Sequence, residues 1–255
     1  RRVLFRSLHN ERLSEIVFTE PESEMPPRRV FEQDKGVKLE VKNLSYQYDA
    51  FTQPVFSNLN IIVEPGESVA LVGPSGVGKT TLLKVMCGLL SPTSGDVLAD
   101  ELDINKIGLN NYRLSTACVL QEDRLFSGSI SENICGFEDN PDEAFIIECA
   151  RHSNIHDEIM KMPMGYETII GELGTGISGG QKQRLLIARA LYRKPGILFM
   201  DEATSHLDLN NEANINHAIS NLSITRIIVA HRPSTIASAD RVINLSTYSS
   251  LSHNF

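Results

Sequence analysis

No stretch of this chain approaches 18 consecutive apolar residues, so none of it reads as a bilayer-spanning helix. No segment has the layout of a signal peptide. There is no basic run and the net charge is −8, which argues against nucleic acid as the main partner. Cysteine is scarce: Cys87, Cys118, Cys135 and Cys149 form neither a CxxC pair nor a metal-ligand spacing. They read as reduced cytosolic cysteines, some packed in the core. Internal repeats are missing as well. What remains is 255 residues, enough for one domain with additions and for a full core without disulfides.

The most informative string present is Gly73-Pro74-Ser75-Gly76-Val77-Gly78-Lys79-Thr80. It follows the apolar run Ser68 to Val72 and precedes a helix-forming stretch, Thr81 to Met86. Strand, glycine loop and helix in that order suit a phosphate cradle, and Gly73-x4-Gly78-Lys79-Thr80 is the P-loop spacing. Glycines let successive backbone N–H groups turn inward without a Cβ in the way. The helix start adds its positive dipole end. Ser75, Gly76, Gly78, Lys79, Thr80 and Thr81 are the candidate nucleotide-binding residues of this loop. Lys79 can reach the β- and γ-phosphates, and the Thr80 hydroxyl can ligate Mg²⁺. The competing reading is a Gly-rich turn that happens to precede a helix.

About a hundred residues on, Ile177-Ser178-Gly179-Gly180-Gln181-Lys182-Gln183-Arg184 leads into a helical run, Leu185 to Tyr192. An apolar strand follows, Ile197 to Met200, ending in Asp201-Glu202. Alone, SGGQ reads as a turn and helix cap, and Asp-Glu after a strand is common. Their order and separation, together with the P-loop, resemble the signature and Walker B motifs of the ATP-binding-cassette (ABC) family.

The resemblance implies roles. Asp201 would help hold Mg²⁺, partly through water. Glu202 would polarise the attacking water as a general base. Gln121 matches the Q-loop glutamine, which contacts Mg²⁺ and senses the membrane domain. His231 ends the run Arg226 to Ala230 and matches the switch histidine near the γ-phosphate. Asp208 closes Ser205-His206-Leu207-Asp208, similar to the family D-loop, with His206 in place of its alanine. Gln121, Glu202, Asp208 and His231 are thus the candidate catalytic set. Upstream, Leu44-Ser45-Tyr46-Gln47-Tyr48 matches the aromatic A-loop, with Tyr48 on adenine and Tyr46 packing beneath the sheet. The competing reading makes both tyrosines core strand residues. Ser178, Gly179, Gly180 and Gln181 would meet the ATP bound by a second copy, so two MgATP would join a head-to-tail dimer.

The implied fold is α/β: a P-loop NTPase core of parallel sheet flanked by helices, an antiparallel β subdomain and an inserted helical signature subdomain. The ATPase domain is expected over 37–245. Within it, 37–72 reads as antiparallel sheet, 73–121 and 196–245 as parallel core, and 122–195 as mainly helical. Pro141 to Arg151 reads as a helix with proline in its first turn, and Ser178 as the cap of the signature helix.

Leu125-Phe126-Ser127-Gly128-Ser129-Ile130-Ser131-Glu132-Asn133-Ile134 resembles an exporter string, and the runs 171–181 and 194–219 are most similar to peptidase-containing bacteriocin exporters. That resemblance implies an ATPase driving export of a bacteriocin- or microcin-like peptide. Its site is the cytoplasmic face of the bacterial inner membrane. The implied partners are a transmembrane domain and an N-terminal cysteine peptidase of the same parent protein, plus the exported peptide. Two other readings compete. A soluble cassette acting on ribosomes or chromosomes typically has tandem cassettes or a coiled-coil insertion, and neither is here. A dead regulatory cassette would have lost Lys79 or Glu202, and both are intact.

Residues 8–36 read as the cytoplasmic tail of a transmembrane domain plus a linker; a free amphipathic helix packed on its own domain is the alternative. Residues 1–7, Arg-Arg-Val-Leu-Phe-Arg-Ser, read as a translated sequencing-adapter end, or else as a natural basic juxtamembrane segment. Residues 246–255 are Ser-rich and aperiodic and read as an irregular tail.

Overall fold

The computed structural model describes residues 17, 26, 30–32, 35–49, 51–171, 176–203 and 207–249. The proposed adapter segment, most of the 8–36 tail, Ser205-His206 and the last six residues lie outside the described residues. Two strands open the described domain, β1 (Leu39–Tyr46) and β2 (Phe56–Val63), followed by β3 (Ser68–Val72) and α1 (Lys79–Met86). Then come β4 (Ser94–Ala99), β5 (Leu102–Asp103), α2 (Ile104–Ile107), α3 (Leu109–Leu114) and β6 (Thr116–Val119). The next stretch holds β7 (Gly128–Ser129), α4 (Ile130–Cys135), α5 (Glu143–His152), α6 (His156–Ile159), β8 (Ile169–Ile170) and α7 (Gly179–Tyr192). Last are β9 (Ile197–Asp201), α8 (Leu209–Ser220), β10 (Thr225–Val229), α9 (Pro233–Ala237), β11 (Arg241–Asn244) and α10 (Ser246–Ser249).

The central sheet is parallel, in the order β11-β3-β10-β9-β6. Its inner strands are near-continuous apolar runs because both faces are covered. All five residues of β9 and all five of β10 are buried. Alternation decides which core each side chain enters. Ile197, Phe199, Ile227 and Val229 join a core shared with α1 and the antiparallel sheet. Leu198, Met200 and Ile228 join a second core formed with α4, α5 and α7.

The antiparallel sheet has the order β2-β1-β4-β5. Residues 94–103 therefore correct the expectation that all of 73–121 belongs to the parallel core: β4 lies beside β1, with Leu39 opposite Ala99. The β1 pairing shifts register between Val41 and Leu44, where Lys42 and Asn43 are both exposed. This bulge flips the phase, so Leu44 and Tyr46 point inward as Leu39 and Val41 do. Asn43 carries a φ of 48°, and a Cβ on neighbouring Gly95 would stand 2.4 Å from the Asn43 carbonyl oxygen. Only glycine lets the strands approach so closely.

Two smaller corrections follow. Pro141 lies outside α5; Asp142 is its N-cap, accepting from Phe145 N at 3.0 Å. Within the tail expected to be irregular over 246–255, Ser246–Ser249 form α10, which packs against β2 after the buried Leu245, and 250–255 lie outside the described residues. Among the described residues no helix is long and apolar enough to cross a membrane.

Candidate functional site

The loop between β3 and α1 is built by glycines in the left-handed region. Gly76 has φ 81° and Gly78 has φ 98°. At Gly78 a Cβ would also stand 2.5 Å from Val55 Cγ1. Gly78 is the N-cap of α1 and offers no side chain, so no side chain engages the helix's first amides. They face the cleft with the positive dipole end behind them. Lys79 is 6 % exposed and donates through Nζ to Gly73 O at 2.9 Å and to Pro74 O at 3.0 Å. A buried cation requires such partners.

This loop forms one wall of a cleft of about 370 Å³. Tyr48, Ser75, Gly76, Gly78, Lys79, Thr80, Thr81, Gln121, Glu202 and His231 all line it. A larger groove of about 640 Å³ lies near Phe126, Arg189 and Tyr192 and contains none of the expected site residues. The chemistry favours the smaller, more polar cleft.

Tyr48 stands at the cleft edge, 65 % exposed. Its ring meets buried Tyr46 edge-on, centroids 5.1 Å apart, and its hydroxyl lies 3.0 Å from Thr81 Oγ1. The two tyrosines thus divide, one in the core and one presenting a face.

Asp201 ends β9 and is 2 % exposed. Burial pushes its carboxyl above the ordinary range. The Thr80 hydrogen bond and the Lys84 and Lys79 charges pull it back, and the Glu202 charge adds to the rise. Its Oδ1 is buried with no hydrogen-bond partner. An orphaned carboxylate oxygen beside a threonine hydroxyl is an all-oxygen donor set that fits a hard divalent cation such as Mg²⁺.

Glu202 follows with φ 51°, a left-handed conformation that a non-glycine residue adopts at a cost. Its N–H donates to Val229 O at 3.3 Å, and Gln183 Nε2 reaches its carbonyl at 3.4 Å. The carboxylate Oε1 lies 3.1 Å from His231 Nε2. The Glu202 carboxylate and the His231 ring are therefore in direct contact although they follow different strands.

Ser178, Gly179, Gly180, Gln181 and Asp208 do not line this cleft. Ser178 caps α7 in a reciprocal box: Gln181 N donates to Ser178 Oγ at 3.2 Å, and Ser178 N to Gln181 Oε1 at 2.9 Å. Gln181 Nε2 also donates to Glu158 at 2.9 Å, and Arg184 pairs with that carboxylate at 2.7 Å. Burial raises the Glu158 carboxyl, but the Arg184 and Gln181 hydrogen bonds outweigh it and leave it below the usual range. Asp208 caps α8, accepting from Asn210 N at 3.1 Å and Asn211 N at 2.9 Å. Val55 and Gln183 were not legible as site residues. No local pattern marks Val55, and Gln183 lies in the signature run without its own signal.

Residues 56–205 match the ABC transporter family. The chain is 59% identical over 239 residues to the colicin V secretion/processing ATP-binding protein CvaB of Escherichia coli, covering 94% of this chain and 34% of that protein. The probable microcin-H47 secretion/processing ATP-binding protein MchF of Escherichia coli gives the same identity and coverage. The chain thus spans about a third of the length of these relatives. Among solved structures, a bacterial Atm1-family ABC exporter with ATP bound superposes with a TM-score of 0.83 at 32% identity, over 93% of this chain and 42% of that one.

Proposed function

Because this chain belongs to the ABC transporter family, we propose that it is the ATP-hydrolysing module of an exporter carrying a bacteriocin- or microcin-like peptide across the bacterial inner membrane. Its similarity to colicin and microcin secretion proteins supports the substrate class. In this reading it works at the cytoplasmic face. It is joined to a transmembrane domain and an N-terminal cysteine peptidase of the same parent protein.

The observation that carries the ATPase reading is the cleft itself. One polar pocket unites the phosphate loop, Lys79, Thr80, Gln121, Glu202 and His231, with Asp201 directly beneath. ATP enters with its phosphates on the loop amides and on Lys79, and its base on Tyr48. Thr80, Asp201 and Gln121 would hold Mg²⁺, which when bound neutralises charge on the phosphate oxygens. Glu202 orients and deprotonates the attacking water. His231, 3.1 Å from Glu202, fixes that carboxylate and faces the γ-phosphate. Tyr48→Ala should weaken ATP binding by about 1–3 kcal/mol, since stacking is lost. Tyr48→Phe should keep most of it, losing only the Thr81 contact. A fluorescent-nucleotide titration distinguishes the two, and an unaffected alanine variant would put the adenine elsewhere.

Ser178, Gly179 and Gly180 open α7, a 14-residue helix, and do not line the same chain's nucleotide cleft. They can complete a neighbour's site, with Asp208 alongside, so two ATP molecules would join two copies head to tail. Hydrolysis would then release the dimer through the lost differential affinity. ATP should accordingly convert Glu202→Gln protein from monomer to dimer. Adding Ser178→Arg should abolish that dimer, because a long cation occupies the γ-phosphate position, while monomer ATP affinity stays nearly intact. Loss of the Ser178 cap costs about 1 kcal/mol, so a thermal melt must accompany the measurement. Size-exclusion chromatography with light scattering reads the outcome. A dimer that forms equally without ATP, or that survives Ser178→Arg, refutes the sandwich.

A further inference from the structure

Outside the cleft, the most heavily partnered buried acid among the described residues is Glu212 on α8, 1 % exposed. A carboxylate removed from water needs compensating donors. Here they come from one short stretch. Arg232 Nη1 donates to Oε2 at 3.1 Å, Ser234 Oγ to Oε1 at 3.2 Å, and Thr235 Oγ1 also to Oε1. Arg232, Ser234 and Thr235 directly follow His231 in sequence. The same Arg232 nitrogen donates to Leu207 O at 2.7 Å, tying the turn before α8 to the turn after β10.

Position 232 is the N-cap of α9, and no side chain caps that helix. Pro233 at its start contributes no N–H. A five-residue helix without a cap does not hold its own orientation well. Glu212, from a different helix, instead grips the side chains of the first turn. His231 is the residue immediately before that grip, and its Nε2 must stay 3.1 Å from Glu202.

We propose that Glu212 is a positioning residue for ATP hydrolysis, holding the Arg232–Thr235 turn so that His231 remains against Glu202. This rests on the ATPase reading above. Glu212 itself does not line the cleft, so it acts only through the turn. A purely structural carboxylate would change stability alone; a positioning one changes turnover through His231.

The test uses the 255-residue chain. Glu212→Gln keeps an oxygen that can accept from Ser234 and Thr235 but loses the charge facing Arg232. It should lower kcat by about tenfold with KM for ATP and calorimetric ATP affinity changed by less than about twofold. In a His231→Ala background the same substitution should change kcat by less than about twofold, because the group it positions is gone. Unaltered kcat in folded Glu212→Gln overturns the proposal. So does a loss that multiplies with that of His231→Ala, or one that appears in ATP affinity. Should Glu212→Gln not fold, Thr235→Val removes one donor with its shape kept and must show the same pattern at smaller amplitude; normal turnover there also overturns it. Absence of phosphate release above background from the concentrated, unaltered chain would instead sink the ATPase reading.

Discussion

Replacing Lys79 with alanine should lower MgATP affinity by on the order of 10²-fold, about 3 kcal/mol. Lys79 as a residue is 6 % exposed, so little solvent screens it, and a charge-assisted hydrogen bond to a phosphate oxygen in such a place is worth about 1.5–3 kcal/mol. The gain on binding is a difference, however. In the free chain Lys79 already donates to the carbonyls of Gly73 and Pro74. Exchanging those partners for phosphate holds the expected effect to about two decades rather than more. Lys79→Met separates charge from packing: it keeps the apolar stem against the loop and should lose as much affinity with little loss of thermal stability. Isothermal titration calorimetry of both variants against the unaltered chain measures the effect. Unchanged affinity in either variant is incompatible with a phosphate-binding role for this loop.

Glu202→Gln should reduce steady-state phosphate release by roughly 10²-fold or more while ATP still binds. The substitution keeps the shape and a hydrogen-bonding oxygen near His231, 3.1 Å from the present carboxylate, and removes only the charge that draws a proton from water. The backbone argues in the same direction. Glu202 holds a φ of 51° immediately beyond a fully buried strand, and its amide is tied to Val229 O. A residue kept at that conformation on the rim of a polar cleft is constrained for its side chain's direction. Concentrated protein is needed, because in the proposed dimer the site is completed by a second copy. A folded Glu202→Gln variant with near-normal phosphate release would move the general base elsewhere.

Much of the candidate site was legible in the sequence. The phosphate loop, the Ser178 cap with Gln181 three residues on, and the apolar strand ending in Asp201 depend on local chemistry, and local chemistry is written in consecutive residues. The strand-loop-helix unit therefore stands where its glycines predict. What was not legible is pairing across distance. Residues 94–103 alternate as any strand does, and nothing in them says that β1 rather than the parallel sheet will receive them. The bulge at Lys42-Asn43, which turns Tyr46 inward, depends on Gly95 some fifty residues away. Glu212 sits among asparagines in an unremarkable polar helix, and its burial depends on Arg232, Ser234 and Thr235 arriving from beyond β10. The positive φ of Glu202 has no sequence signal at all, since glutamate rarely adopts it.

The alternation of β9 has a mechanical consequence. Ile197 and Phe199 are seated in one core, Leu198 and Met200 in the other, so this strand is an axle common to both lobes. The two acids of the cleft sit where the axle emerges, at Asp201 and Glu202. Leu198 and Met200 share their core with Leu185, Leu186 and Ile187 of α7, so the signature helix is packed against the strand at positions one and three residues before Asp201.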